Sequence, residues 1–139
     1  MKTLNPKRKG EISEAVIISE LMKKGLNVSL PFGENTRYDL ILDNGDKLQK
    51  IQCKTGSLKN GVVVFNTVST TSNYSETSGN GYDGEIDKFV VYCPDNEELY
   101  SVPIEDASNS EMKLRIEPPG NGQKKGINWA EDYKMGDNL

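Results

Sequence analysis

Between Arg37 and Gly56 the chain reads RYDLILDNGDKLQKIQCKTG. Asn-Gly between two runs of alternating apolar residues is the strongest short-range signal for a β-hairpin, and it limits the fold more than any other stretch here. With Asn44 and Gly45 as the centre of a two-residue turn, Asp43 opposes Asp46, Leu42 opposes Lys47, Ile41 opposes Leu48 and Asp39 opposes Lys50. Directly opposed residues share a face, and every second residue stays on it. One face then holds Asp39, Ile41, Leu48, Lys50, Gln52 and Lys54. The other holds Tyr38, Leu40, Leu42, Ile51 and Cys53, a surface suited to a core, with Lys47 and Gln49 as polar exceptions near the turn.

The rest of the chain supplies what such a hairpin needs to pack against. Glu11 to Lys24 is expected to be a helix, with Ile12, Ala15, Val16, Ile17, Ile18, Leu21 and Met22 as a wide apolar stripe and Gly25 as its stop. Strand patterns fall at Leu26 to Leu30, Gly61 to Thr67, Phe89 to Cys93, Leu99 to Ile104 and Met112 to Ile116. Val68 to Gly84, rich in Ser, Thr, Asn, Gly and Tyr, reads as a long loop, a kind that is often functional. Trp129 to Tyr133 reads as a short closing helix. With 139 residues and neither repeat nor linker, one α/β domain over 1–139 is expected.

Composition narrows the chemistry. The sequence contains no histidine, which removes Ser-His and Cys-His hydrolases and imidazole acid–base catalysis. Its two cysteines, Cys53 and Cys93, are far apart, which excludes a zinc knuckle; they read as buried thiols, which suits a reducing, cytoplasmic setting, with a disulfide as the alternative. No stretch is apolar and long enough to span a bilayer, and the N-terminus lacks the apolar run of a secretory signal. A net charge of −4 argues against a nucleic-acid binder if taken alone. The charge is uneven, however. Lys7, Arg8 and Lys9 form one basic cluster, and Lys47, Lys50, Lys54 and Lys59 form another around the hairpin. One face of a dipolar surface can hold phosphate despite an acidic total.

The polar face of the hairpin offers three kinds of group. A carboxylate (Asp39), an amide oxygen (Gln52) and a backbone carbonyl (Cys53) are oxygen ligands for a hard cation such as Mg²⁺, which keeps waters in its remaining positions. Lys54 beside them can orient water or stabilise charge on a phosphoryl group. A plain solvated face explains the same residues. Arg37 is a candidate phosphate contact beside the site, with a solvated loop charge as its alternative. Within the long loop, Asn73 and Tyr74 are candidate DNA contacts.

The pattern in "YDL…IQCK" resembles the PD-(D/E)XK nuclease superfamily. The resemblance extends through "KGEISEA", "PFGENTRYDL", "QCKTG", "VVFNT", "YDGEIDKFVVYCP" and "NGQKKGINWAEDY" to the subgroup that includes group I intron-associated homing endonucleases. It implies a restriction-endonuclease-like αβββαβ core, a central mixed sheet flanked by helices. It implies catalytic Glu11, Asp39, Gln52 and Lys54, with the metal on Asp39, Gln52, Glu11 and the Cys53 carbonyl. Glu14, one turn on, is the second choice for the helix acid. The cofactor implied is Mg²⁺, with Mn²⁺ able to substitute, and the substrate is double-stranded DNA cut by a homodimer or homotetramer. Two positions depart from the family pattern: Tyr38 stands where the name has Pro, and Gln52 replaces an acid, removing one negative charge from the site. Lys50, Lys59, Lys7, Arg8 and Lys9 are the expected phosphate contacts. The competing readings are a Holliday-junction resolvase of the same fold and a non-catalytic DNA-binding or assembly protein.

Overall fold

The computed structural model describes residues 3–68, 84–123, 125–136 and 139. The loop expected over Val68 to Gly84, with Asn73 and Tyr74, lies almost wholly outside them.

Asn5 and Pro6 start the first element. The Asn5 side chain accepts the Arg8 backbone N–H at 2.8 Å, and Pro6 occupies the first helical position, where its missing N–H is no loss. Helix α1 (Pro6–Lys23) therefore begins five residues before the expected Glu11. Glu11 sits in its second turn, and Lys7, Arg8 and Lys9 belong to the first. The expected apolar stripe is also corrected. The buried row is Ser13, Ile17 and Leu21, four residues apart, while Ile12 and Met22 are exposed. Gly25, at φ +83°, ends the helix as expected.

Strands β1 (Asn27–Ser29), β2 (Leu40–Asp43), β3 (Leu48–Thr55), β6 (Lys88–Cys93) and β7 (Glu98–Pro103) form one sheet in the order β1-β2-β3-β6-β7. It is mixed: β3 and β6 run parallel and the other pairs antiparallel. Strands β4 (Ser57–Lys59), β5 (Val62–Asn66) and β8 (Glu111–Arg115) form a second, antiparallel sheet in the order β4-β5-β8. Ala130–Tyr133 is a single 3₁₀ turn where a short helix was expected.

Two cores hold these layers together. On one face of the large sheet, Ile17 and Leu21 of α1 pack with Leu40, Leu42, Ile51 and Val90. On the other, Phe89, Val91, Tyr100 and Val102 pack with Val63, Phe65, Met112 and Leu114 of the small sheet. Among the described residues, then, the large sheet has one α-helix on one side and a second sheet on the other. Gly56 lets the chain pass from β3 into β4: a Cβ there would stand 2.9 Å from Val63 Cγ1 and 3.1 Å from Val91 Cγ1.

The hairpin register differs from the expected one. Asp43 pairs with Leu48, Leu42 with Gln49, Ile41 with Lys50 and Leu40 with Ile51, so the turn is four residues long. Both central residues of the expected turn would need positive φ, and here Gly45 has it (+88°) while Asn44 does not. The side chains of Asp43 and Asn44 close the turn instead, accepting the N–H groups of Gly45, Asp46 and Lys47 at 2.9 Å. The slip is two residues. It preserves parity, so every side chain stays on its expected face. Gln49, expected as a polar exception, is 5% exposed, and its Oε1 has no hydrogen-bond partner.

Candidate active site

The site lies where β2 stops following β3. Asp39 precedes the first residue of β2, and its N–H still donates to the Ile51 carbonyl at 2.8 Å. The next free donor on that edge, the Cys53 N–H, is met by a side chain: Asp39 Oδ2 accepts it at 2.8 Å. The carboxylate is thereby fixed against the edge of β3. A strand residue's N–H and C=O face the same side, so the Cys53 carbonyl faces this edge too. Burial raises the Asp39 pKa above its ordinary value, and the Cys53 N–H and the Lys54 charge offset only part of that.

On β3, Gln52 and Lys54 lie on the face opposite Ile51 and Cys53, level with Phe89 and Val91 of the parallel neighbour. Gln52 Oε1 is buried and accepts no hydrogen bond. Lys54 Nζ donates to the Val68 carbonyl at 3.2 Å and stands 6.0 Å from the centre of the Phe89 ring. Its pKa falls to about 8, chiefly through burial; Asp39 opposes the shift and Arg37 adds to it. The lysine is thus an amine close to its titration point at neutral pH, next to an aspartate whose charge is costly to keep.

The helix contributes acid from above. Ser13 and Thr55 hydroxyls share a 2.6 Å hydrogen bond, which clamps α1 to β3 at the level of the site. Glu14 follows Ser13 and is half-buried. Its pKa is raised by burial, then by Asp39, then by Glu11. The Glu14 and Asp39 charges, with burial first, also push the Cys53 thiol far up, so this sulfur is no nucleophile. Glu11 has a side chain 60% exposed, 3.5 Å from Arg8. Of the two helix acids, Glu14 is the one whose charge bears on Asp39 and Cys53. The resemblance put Glu11 first and Glu14 second, and which helix acid faces the sheet depends on the Ser13–Thr55 clamp, a contact between distant residues. A serine in an otherwise apolar row was the signal for it.

The candidate DNA contacts are more scattered. Arg37 is 20% exposed and paired with Glu85 at 3.1 Å. Lys7, Arg8 and Lys9 are exposed in the first turn of α1, Lys59 is exposed at the end of β4, and Lys50 is exposed on β3. The Lys50 backbone N–H donates to Asp87 Oδ2 at 2.7 Å, and the Asp87 N–H donates to the Lys50 carbonyl at 2.8 Å. Asp87 therefore splices β6 onto β3. Cys53 and Cys93 are both free thiols, Cys93 buried and Cys53 partly exposed.

Among the described residues, no three His, Cys, Asp or Glu side chains gather into a metal site. A cation here would depend on mixed oxygens: the Asp39 carboxylate, the Cys53 carbonyl, the unpaired Gln52 Oε1 and a helix carboxylate. That set fits a hard divalent ion that retains waters, and a buried amide oxygen without a partner is what such an ion would satisfy.

The family model for "PD-(D/E)XK endonuclease" matches residues 4–136. The bacterial homing endonuclease I-Ssp6803I has a similar structure, with a TM-score of 0.68 and 25% sequence identity over 95% of this chain and 88% of that one. Hjc, a Holliday junction resolvase from Archaeoglobus fulgidus, an archaeal hyperthermophile, aligns at a TM-score of 0.47 and 16% identity, over 77% of this chain and 84% of that one. No curated protein matches the chain.

Proposed function

The chain belongs to the PD-(D/E)XK endonuclease family, and from that premise we propose that it hydrolyses phosphodiester bonds of double-stranded DNA at specific sites, with Mg²⁺ as its metal. The homing activity of I-Ssp6803I, which shares the fold, supports the site-specific part of this reading. The observation that supports it is a half-buried carboxylate, Asp39, whose charge acts on the neighbouring Lys54, with the unpartnered amide oxygen of Gln52 two residues before that lysine on β3.

In this reading Asp39, Gln52, the Cys53 carbonyl and a helix carboxylate hold the cation, with Glu14 better placed than Glu11. When bound, the cation supplies Lewis-acid activation of phosphate and water. Lys54, near its titration point, orients the attacking water and takes up or yields its proton without a large energetic penalty. Its positive form also offsets the charge that develops on the phosphoryl oxygens. Asp39 accepts the Cys53 N–H and so holds its carboxylate in place before any ligand arrives. Gln52 in place of an acid leaves the site one charge less negative, which favours approach of a phosphate and weakens hold on a second cation.

One such site cuts one strand. Cutting both calls for two copies related by a two-fold axis, as a homodimer or within a homotetramer. Exposed Lys7, Arg8, Lys9, Lys50 and Lys59 are the proposed phosphate contacts. The test is incubation of a random-sequence duplex pool with protein and Mg²⁺, followed by mapping of the new ends. Metal-dependent ends at a recurrent sequence are expected. Intact duplex under all metals, or cutting that survives in both Asp39→Ala and Lys54→Ala, would refute the reading.

A further inference from the structure

Phe32 is wholly exposed (105%), and Leu30 two residues before it is 62% exposed. An aromatic ring in open solvent gains nothing for the fold. Its position gives it a use. β1 pairs antiparallel with β2, with Ser29 opposite Ile41 and Val28 opposite Leu42. β1 ends at Ser29 and β2 begins at Leu40, so residues 30–39 join the two strands at that end of the sheet. That connection runs directly into Asp39, so Phe32 belongs to the loop at the same end of the sheet as the carboxylate. Gly33, at φ +89°, turns the chain directly after the ring. The loop is braced by Thr36 Oγ1, which donates to the Tyr38 carbonyl at 3.0 Å, and by the Arg37–Glu85 pair.

The loop's charges do not suit a phosphate. Glu34 is acidic, and the Arg37 charge is paired with Glu85. What the loop offers a ligand is apolar surface. A DNA duplex whose scissile phosphate lay at Asp39 would bring bases, rather than further phosphates, against such a surface. We propose that Phe32, flanked by Leu30, contacts DNA bases beside the cleavage site, stacking against a base or wedging into a step. The inference rests on the DNA nuclease reading and adds a specificity element that reading does not contain.

The test uses the whole chain and a mixed-sequence duplex of about 30 base pairs, without divalent metal. Trp129, the one native tryptophan, gives the baseline emission. In Phe32→Trp, saturating duplex should quench the added emission at least about twofold through base stacking. In Met22→Trp, at the end of α1 away from Lys7, Arg8 and Lys9 and also exposed, emission should not change. Phe32→Ala should weaken binding about tenfold or more while the slope of affinity against salt stays that of the parent, because no phosphate contact is lost. Unchanged emission from Phe32→Trp on a bound duplex, or parent-like affinity and cleavage in Phe32→Ala, would overturn the inference and leave the nuclease reading intact. Emission that responds to protein concentration but not to DNA would overturn it in favour of self-association. A parent that neither binds nor cuts duplex would remove both.

Discussion

Lys54 shows how a residue of the candidate site is held at a cost to stability. Its pKa lies at about 8 in the fold, against 10.5 for the free side chain, because burial disfavours the charge. Between those values the unfolded chain binds more protons than the folded one, so stability of the metal-free protein rises with pH across that window. Below about pH 8 the penalty is present in full. Lys54→Met should therefore raise metal-free stability at pH 7 by ~1–3 kcal/mol, discounted for partial exposure, and the gain should shrink as pH climbs toward 10.5. Chemical denaturation of the two proteins across pH 7 to 10.5 measures this. Asp39 behaves with the opposite sign. Its folded pKa is raised, so its ionised form is unfavourable at neutral pH and the penalty fades as the carboxyl protonates in acid. Asp39→Asn keeps an oxygen to accept the Cys53 N–H, and should melt higher than the parent at pH 7 without metal. Added Mg²⁺ should raise the parent's Tm and leave the variant's unchanged. A parent that melts at the same temperature with and without Mg²⁺ would leave the oxygens of Asp39 and Gln52 without their proposed ion. The chemical types at 39, 52 and 54 were legible in the sequence. The weight of Glu14 over Glu11 was not, since it depends on which face of α1 a hydroxyl pair on β3 selects.

At the scale of elements, three local devices assemble the candidate site. Asn5 and Pro6 start α1, the Asp43–Asn44 side chains fix the hairpin register, and Gly56 steers the chain between sheets. The hairpin shows why a sequence reading can misplace a turn and still assign the faces: a two-residue slip preserves parity, and Asp39, Gln52 and Lys54 keep theirs. A slip of one would have put Gln52 and Lys54 among the α1 core residues. The start of α1 was harder to read. Apolar periodicity begins only at Ile12, after a basic run and Gly10, although Asn5-Pro6 carries the start signal in its own chemistry. Gly56→Ala should destabilise the protein by ~1–3 kcal/mol, since its methyl would meet Val63 and Val91 at distances a packed core does not permit. Asn5→Ala should lose ~1 kcal/mol through the helix cap alone. Urea unfolding of both ranks them, and a Gly56→Ala protein as stable as the parent would mean that the junction of β3 and β4 has room the structure does not show.

On the scale of the whole molecule, the large sheet lies between a helix and a second sheet. The second sheet was the least legible part. Ser57–Lys59 is only three residues long, and β5 takes as its partner β8, with Val62 opposite Arg115. Pairings between strands so far apart in sequence leave no local pattern. Among the described residues no helix is long and apolar enough to cross a membrane. The charge is acidic overall, yet basic residues line the start of α1 and the β3–β4 run. If those lysines neutralise phosphates, affinity for duplex DNA should fall steeply and linearly on a log–log plot against salt, and removing Lys7, Arg8 and Lys9 together should lower the slope by about 3. A flat response would contradict a phosphate-dominated interface. Most direct of all is a single-turnover cleavage assay with Mg²⁺ on duplex selected from the random pool, comparing the parent with Lys54→Met and Asp39→Asn at concentrations where all three bind. Both variants should bind DNA, and each should cleave at least about a hundredfold more slowly. Parent-like cleavage by both would contradict the proposed roles of Asp39 and Lys54.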